Sequence, residues 1–208
     1  VYLPWFFFLE SKITMDYPNL HIINGPLDDM IPFCEVFIIP YFLWFAYIVA
    51  SCVIMVLKAD NQEFIRFALS LIIGMSLCMV ICMVYPNGLT LRPDTLPDNA
   101  FGRLVAGLYA TDTPTNVFPS IHVYNSIAVH TALSKCKALK NHKGLLTGSL
   151  ILCILICMST VFLKQHSLYD VGGAFVLMGV MYYVLYILPE RRAQRQAENE
   201  KHYASADE

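Results

Sequence analysis

Between Glu35 and Lys58 the chain carries no charged residue, and the run is dense in Phe, Ile, Val and Trp. A run of roughly 18 or more apolar residues is what a helix needs to cross about 30 Å of hydrocarbon. Lipid offers no partner for backbone N–H and C=O groups, so such a run pairs them internally, as a helix. Six apolar segments can be drawn, at about 1–9, 33–57, 64–84, 119–134, 145–163 and 168–188. The gaps between them hold the charge, proline and glycine that punctuate helices. The expected fold is therefore an all-α integral membrane protein, a six-transmembrane helical bundle. Its first helix opens in mid-apolar sequence (VYLPWFFFL, without methionine) and is expected to be truncated. Residues 1–189 are expected to form one catalytic domain, followed by a polar tail over 190–208 that is frayed or disordered.

Composition agrees. Hydrophobic residues make up 57% of the 208 and charged residues only 14%, whereas a soluble domain carries nearer a quarter charged. A net charge of −2 excludes a nucleic-acid binder. Of the seven cysteines, Cys52, Cys78, Cys82, Cys153 and Cys157 lie inside apolar runs, and Cys34 and Cys136 lie at their edges. No CxxC or Cys/His metal spacing occurs, so they read as small packing residues.

Lys and Arg gather in cytoplasmic loops of membrane proteins, which makes orientation testable on the sequence. Lys58, Arg66, Lys135, Lys137, Lys140, Lys143, Arg191, Arg192, Arg195 and Lys201 fall on one side. Only Lys12, Arg92, Arg103 and Lys164 fall on the other, beside Asp16, Asp28, Asp29, Asp94, Asp98 and Asp112. Ten against four puts both termini in the cytoplasm and loops 10–32, 86–118 and 164–167 outside.

The outer face also collects the chemistry. Arg92 follows the third span, Ser120 and His122 open the fourth, and Lys164, His166 and Asp170 lie between the fifth and sixth. Three separate loops thus supply one site. Pro119 suits a first helical turn, after which Ser120 and free N–H groups would point outward from a positive helix end, a seat for phosphate. His166 and Asp170 are four apart, so the carboxylate can take one imidazole N–H and leave the other nitrogen free for attack or proton transfer. Asp170 could instead serve a cap with Ser167. Two histidines, an Asp and an Arg near a helix N-terminus suit phosphoryl transfer without a metal or other cofactor. They could also ligate zinc, which nothing else in the sequence supports.

At these residues the chain resembles the PAP2 (type 2 phosphatidic acid phosphatase) superfamily. FPSIHVYNS (118–126) is similar to its second signature, STVFLKQHSLYDVGGAF to its third, and YPNGLTLRP (85–93) to its first. The resemblance implies that His166 forms a phosphohistidine, that Asp170 orients it, and that His122 protonates the leaving group. Arg92 and Ser120 would bind phosphate oxygens. The family's phosphatases carry a Lys where this chain has Tyr85, and an Arg where it has Thr160.

A phosphodiester monoanion needs less positive charge than a phosphomonoester dianion. The reduced set therefore resembles the branch of inositol phosphorylceramide synthases and sphingomyelin synthases. It implies a phospholipid or other lipid phosphate as substrate, and a second lipid as acceptor where transfer rather than hydrolysis occurs. Lys164 can restore some of the missing charge, and Tyr85 is a candidate substrate contact. A lipid phosphate phosphatase, or a catalytically weak lipid-binding protein, are the rival readings.

Other residues have blander readings. His130 follows His122 and Ser126 along one helical face, as a proton path or as a neutral hydrogen-bonded interior group. Asp28 and Asp29 could recognise a headgroup hydroxyl, but are expected in a solvated acidic loop. Tyr41, Trp44 and Tyr47 suit an interfacial belt and packing, and Gly172, Gly173 and Gly179 suit close helix contact.

Overall fold

The computed structural model describes residues 2–204, and they are mostly helical. In chain order the helices are α1 (Tyr2–Lys12), the one-turn α2 (Pro26–Asp29), α3 (Ile38–Lys58), α4 (Asn61–Val84), α5 (Ala100–Thr111), α6 (Ile121–Lys135), α7 (Lys143–Phe162), α8 (Leu168–Tyr182) and α9 (Leu188–Ala204). A small parallel pair, β1 (His21–Ile22) with β2 (Asn87–Gly88), ties the segment after α1 to the segment after α4.

Local chemistry sets the helix starts. Asp60 Oδ1 accepts from Glu63 N at 2.8 Å, and Glu63 Oε2 accepts from Asp60 N at 3.0 Å, a reciprocal cap on α4. Asn99 Oδ1 accepts from Gly102 N at 2.8 Å at the head of α5. Ser120 caps α6 and Ser167 caps α8.

Helix α6 is the centre of the bundle, packed against α3, α4, α7 and α8. Val123, Tyr124, Ser126, Ala128, Val129, Ala132 and Leu133 are buried along it, so it is covered on all sides. The α4 contact is close. A Cβ on Gly74 would fall within 2.1 Å of the Tyr124 ring, whose hydroxyl donates to Ser70 O at 2.8 Å. A small residue is what lets the backbones approach so far.

The surrounding helices turn large apolar side chains outward: Phe45, Val49 and Val56 on α3, Ile65 and Ile72 on α4, Ile151 and Ile154 on α7, and Phe175 and Val176 on α8. A surface so apolar suits lipid and would be a liability in water. Among the described residues, four helical stretches are long and apolar enough to cross a membrane: Glu35–Lys58, Asn61–Val84, Lys143–Phe162 and Leu168–Asn199. The protein is thus a multi-pass, all-α membrane protein. The segment at 1–9 yields an 11-residue helix and that at 119–134 a 15-residue helix, both shorter than the four.

Three other expectations change. The loop 86–118 contains α5, whose Val105 and Leu108 pack against Ile38, Tyr41 and Leu163. Its apolar face was hidden among Pro, Asp and Gly residues that read as loop. The tail, expected as a frayed helix or disordered, is helical from Leu188 to Ala204, continuing α8 through a π-helical turn at Tyr183–Ile187, and 205–208 lie outside the described residues. Arg66 meets Glu190 at its base, at 3.6 Å. Of the glycines in α8, only Gly173 is needed for close approach: a Cβ there would lie 2.5 Å from Phe118, while Gly172 and Gly179 have room.

His130 joins three helices. Its Nδ1 lies 3.0 Å from Ser149 Oγ on α7, which is 2.7 Å from the Tyr47 hydroxyl on α3. This is the interior hydrogen-bonded role. All seven cysteines are free thiols.

Candidate active site

The turn between α7 and α8 is wound tightly. Lys164 takes a left-handed backbone conformation, with φ of 53°, and the amides of Gln165 and His166 both donate to Thr160 O at 3.0 Å. His166 emerges from this turn 7% exposed, with Nδ1 3.3 Å from Asp170 Oδ2. With the proton on Nδ1 that N–H donates to the carboxylate, and Nε2 keeps its lone pair. The same Asp170 oxygen accepts from Ser167 N at 2.8 Å. Pairing and capping, which the sequence set against each other, are done by one carboxylate.

His122 stands one residue into α6, and its ring centroid is 5.8 Å from that of His166. Tyr41 (4.6 Å) and Trp44 (4.3 Å) flank it. These two α3 aromatics hold the imidazole in place by ring packing, a closer role than belt or general packing. Among the described residues its ring nitrogens make no hydrogen bond to protein. The two histidines share a pocket of about 40 Å³, whose wall includes Asp112, Thr113, Thr115, Asn116 and Gln165. Among the described residues no Lys or Arg lies in that wall. A second, apolar cavity of about 340 Å³ opens between α1, α3 and α4 and ends on His122 and Asp112, lined by Phe6, Phe7, Phe42, Trp44, Phe45 and Met79 among others.

Arg92 sits beside the cluster. Its Nη2 donates to Gln165 Oε1 at 2.6 Å and to Asp112 O at 2.5 Å, its Nη1 donates to Tyr109 O at 3.2 Å, and it lies 4.2 Å over the Tyr109 ring. Burial lowers its pKa, opposed by the Asp112 carboxylate and by Tyr109. Asp112 accepts from the Tyr41 hydroxyl at 2.9 Å and from Gln165 Nε2 at 3.0 Å. Its pKa is raised, because burial outweighs the hydrogen bonds and nearby positive charge. Helix α1 adds Glu10, which takes the Thr113 hydroxyl in a short hydrogen bond and Asn116 Nδ2 at 2.9 Å. Glu10 thereby pins the wall of the histidine pocket. Sequence reasoning missed Gln165, Glu10 and the role of Asp112. Gln165 adjoins His166, and Asp112 stood among the outer-face acids, so both were in view.

Three expected positions shift. Ser120 is fully buried. It is the cap residue itself, with Oγ accepting from Val123 N at 3.3 Å and N donating to Asp170 O at 3.2 Å. Pro119 therefore precedes the helix instead of opening it, and the serine oxygen turns inward instead of out toward a phosphate. Lys164 is 7% exposed, and its ammonium donates to the carbonyls of Asp28 and Ile31, both at 2.6 Å. Its charge is absorbed by a loop and not brought to the histidine pocket. Tyr85 stacks on His21 at 4.2 Å and lines a different groove, with Ile81, Phe118 and Tyr169. At the other departure from the family pattern, Thr160 turns back on α7, its hydroxyl donating to Cys157 O at 2.8 Å.

The acidic loop is corrected as well. Asp28 is 1% exposed, with Oδ1 accepting from Leu168 N at 2.8 Å and Oδ2 from Ser167 Oγ at 2.7 Å. Only Asp29 remains in solvent.

Comparison with curated proteins and with solved structures finds no match. A family model described as the PAP2 superfamily matches residues 63–194, which include the central α6 and the α7–α8 turn. A match over more than half of the chain, spanning both histidines and Asp170, makes this protein a member of the PAP2 superfamily.

Proposed function

We propose that the protein is a membrane lipid phosphotransferase or phosphohydrolase that works through a phosphohistidine, favouring a phosphodiester headgroup. The observation that carries this reading is the facing pair of histidines at the end of an apolar cavity. His166 is oriented through Nδ1 by Asp170, and His122 lies across a pocket that meets the cavity. Lipid tails would occupy the cavity and present the phosphate at its polar end.

In the first step Nε2 of His166 attacks phosphorus, a P–N bond forms and the bond to the leaving oxygen breaks. His122 gives that oxygen its proton. In the second step His122 takes a proton from water or from the hydroxyl of an acceptor lipid. The oxygen attacks phosphorus and the P–N bond breaks, restoring His166. Arg92, held through Gln165, supplies the nearby positive charge. The wall itself carries a carboxylate, Asp112, and among the described residues no lysine or arginine, which suits a monoanionic phosphodiester better than a dianion. Six spans, with both termini cytoplasmic and the site on the outer face, complete the proposal, supported by the loop charges.

Purified protein in lipid nanodiscs, offered labelled phosphatidate, a phosphodiester phospholipid and ceramide in parallel with His166→Ala, tests it. Headgroup release or transfer from the phosphodiester, lost in the variant, is expected. Phosphate release from phosphatidate alone would replace this reading with a lipid phosphate phosphatase. No turnover, with lipid binding equal in both proteins, would leave a lipid-binding role.

A further inference from the structure

We infer that Asp28 is a positioning residue for His166, acting through α2 as a clamp on the α7–α8 turn. The inference rests on the reading of His166 as the attacking group. Asp28 sits in a loop whose neighbours Leu27 and Met30 are 63% and 78% exposed, yet it is itself 1% exposed. A buried carboxylate persists only when its oxygens are satisfied, and these are. Leu168 N donates to Oδ1 at 2.8 Å, while Ser167 Oγ and Gly25 N donate to Oδ2 at 2.7 and 2.9 Å. On the other side of His166, Lys164 Nζ donates to the main-chain carbonyls of Asp28 and Ile31. One turn of loop therefore grips residues 164, 167 and 168, leaving the histidine between the two grips.

The loop is seated hard on α8. A Cβ on Gly25 would lie 2.7 Å from the Tyr169 ring. With Asp170 holding Ser167 N, the two aspartates also occupy donors at the head of α8 that would otherwise suit an external anion. That helix end holds the nucleophile in place and is closed to phosphate. Asp170 orients the imidazole, whereas Asp28 fixes the backbone that carries it. Without the Asp28 carboxylate the turn keeps the Thr160 carbonyl for residues 165 and 166 and Asp170 for Ser167 N, but loses the acceptor for Leu168 N and for the Ser167 hydroxyl.

The test uses the full chain in nanodiscs as wild type, Asp28→Ala, Asp28→Asn and Ser167→Ala. A fluorescent phosphodiester phospholipid reports turnover, and diethyl pyrocarbonate with peptide mass spectrometry reports the rate of His166 carbethoxylation. A displaced reacting group costs rate more than binding, so Asp28→Ala is expected to lower kcat about 100-fold with KM within about threefold. The His166 modification rate should change severalfold in the same variant. Asp28→Asn keeps an acceptor for Leu168 N and should stay within about tenfold of wild type on both readouts.

Wild-type kcat and His166 reactivity in folded Asp28→Ala would overturn the inference. Should Asp28→Ala fail to fold, Ser167→Ala decides, since it removes the hydroxyl donor to Asp28. A fall in kcat with altered His166 reactivity supports the clamp, and wild-type values for both overturn it. If the wild type turns over no lipid, the proposed function fails, while carbethoxylation of His166 still decides the role of Asp28.

Discussion

The two helix starts that face each other in the site, those of α6 and α8, hold their histidines by opposite means. At α8, His166 is bonded through Nδ1 to Asp170, and the turn around it is fixed by Ser167, Asp28 and Lys164. At α6, His122 leans on the rings of Tyr41 and Trp44 and bonds to no protein group among the described residues. Hydrogen bonds fix a direction, and a nucleophile needs one nitrogen aimed at one atom. Ring packing fixes a plane and leaves both nitrogens available, which suits a group that gives a proton and later takes one back. The difference supports the proposed roles, and each can be attacked separately.

The sharpest break is chemical. His166→Ala should lower turnover by about 10⁴-fold or more on every substrate, since the proposed phosphohistidine cannot form. His122→Gln should cost about 10²–10⁴-fold on lipid substrates, the usual worth of a general acid. With a p-nitrophenyl ester, whose leaving group needs no proton, most of the His122 loss should vanish and the His166 loss should remain. Equal recovery in both variants would undo the assignment.

Asp170→Asn separates the two duties of that carboxylate. An amide oxygen can still accept from Ser167 N and keep the cap, but it cannot supply the charge that holds the imidazole. Thermal stability should stay near wild type while kcat falls by about 100-fold or more. A loss of stability without a loss of kcat in the surviving protein would make Asp170 a cap alone. On the α6 side the matching change is Trp44→Ala, which removes one wall of the His122 seat. It should cost about tenfold in kcat, with little change in His166 carbethoxylation.

How far this comparison was legible in sequence follows from the reach of each interaction. The apolar runs announced α3, α4, α7 and α8, because lipid dictates length and composition locally. His166 and Asp170 were readable as a pair because four residues is one helical turn. Asp28 was not, because its partners lie at the far end of the chain, and only the folded turn shows that a loop carboxylate is buried. Lys164 was misplaced for the same reason. Its spacing from His166 suggested charge for the site, while its left-handed backbone sends the side chain to the carbonyls of Asp28 and Ile31. The position of Ser120 at the head of an apolar run suggests an outward hydroxyl, but a cap side chain turns back on its own helix.

The smallest expected effect concerns Asp112, which ties the two sides together through Tyr41 and Gln165. Burial raises its pKa in the folded protein, so the folded state holds the proton more tightly than the unfolded chain does. The stability this gives is present in full below the unfolded value, about 3.9, and is lost as pH rises through the raised folded value. Asp112→Asn cannot titrate, and groups that titrate alike in both proteins cancel in the comparison. Wild type minus variant, measured as the difference in unfolding temperature, should therefore fall as pH rises from 4 towards 8. Arg92 cannot mimic the effect, since even a lowered guanidinium pKa leaves it charged across this range. A difference that stays flat over the range would mean that Asp112 is ionised with its partners in the folded protein as readily as in the unfolded chain. The link between the aromatic and the hydrogen-bonded histidine would then run through a paired charge, and not through a carboxyl that burial biases toward its neutral form.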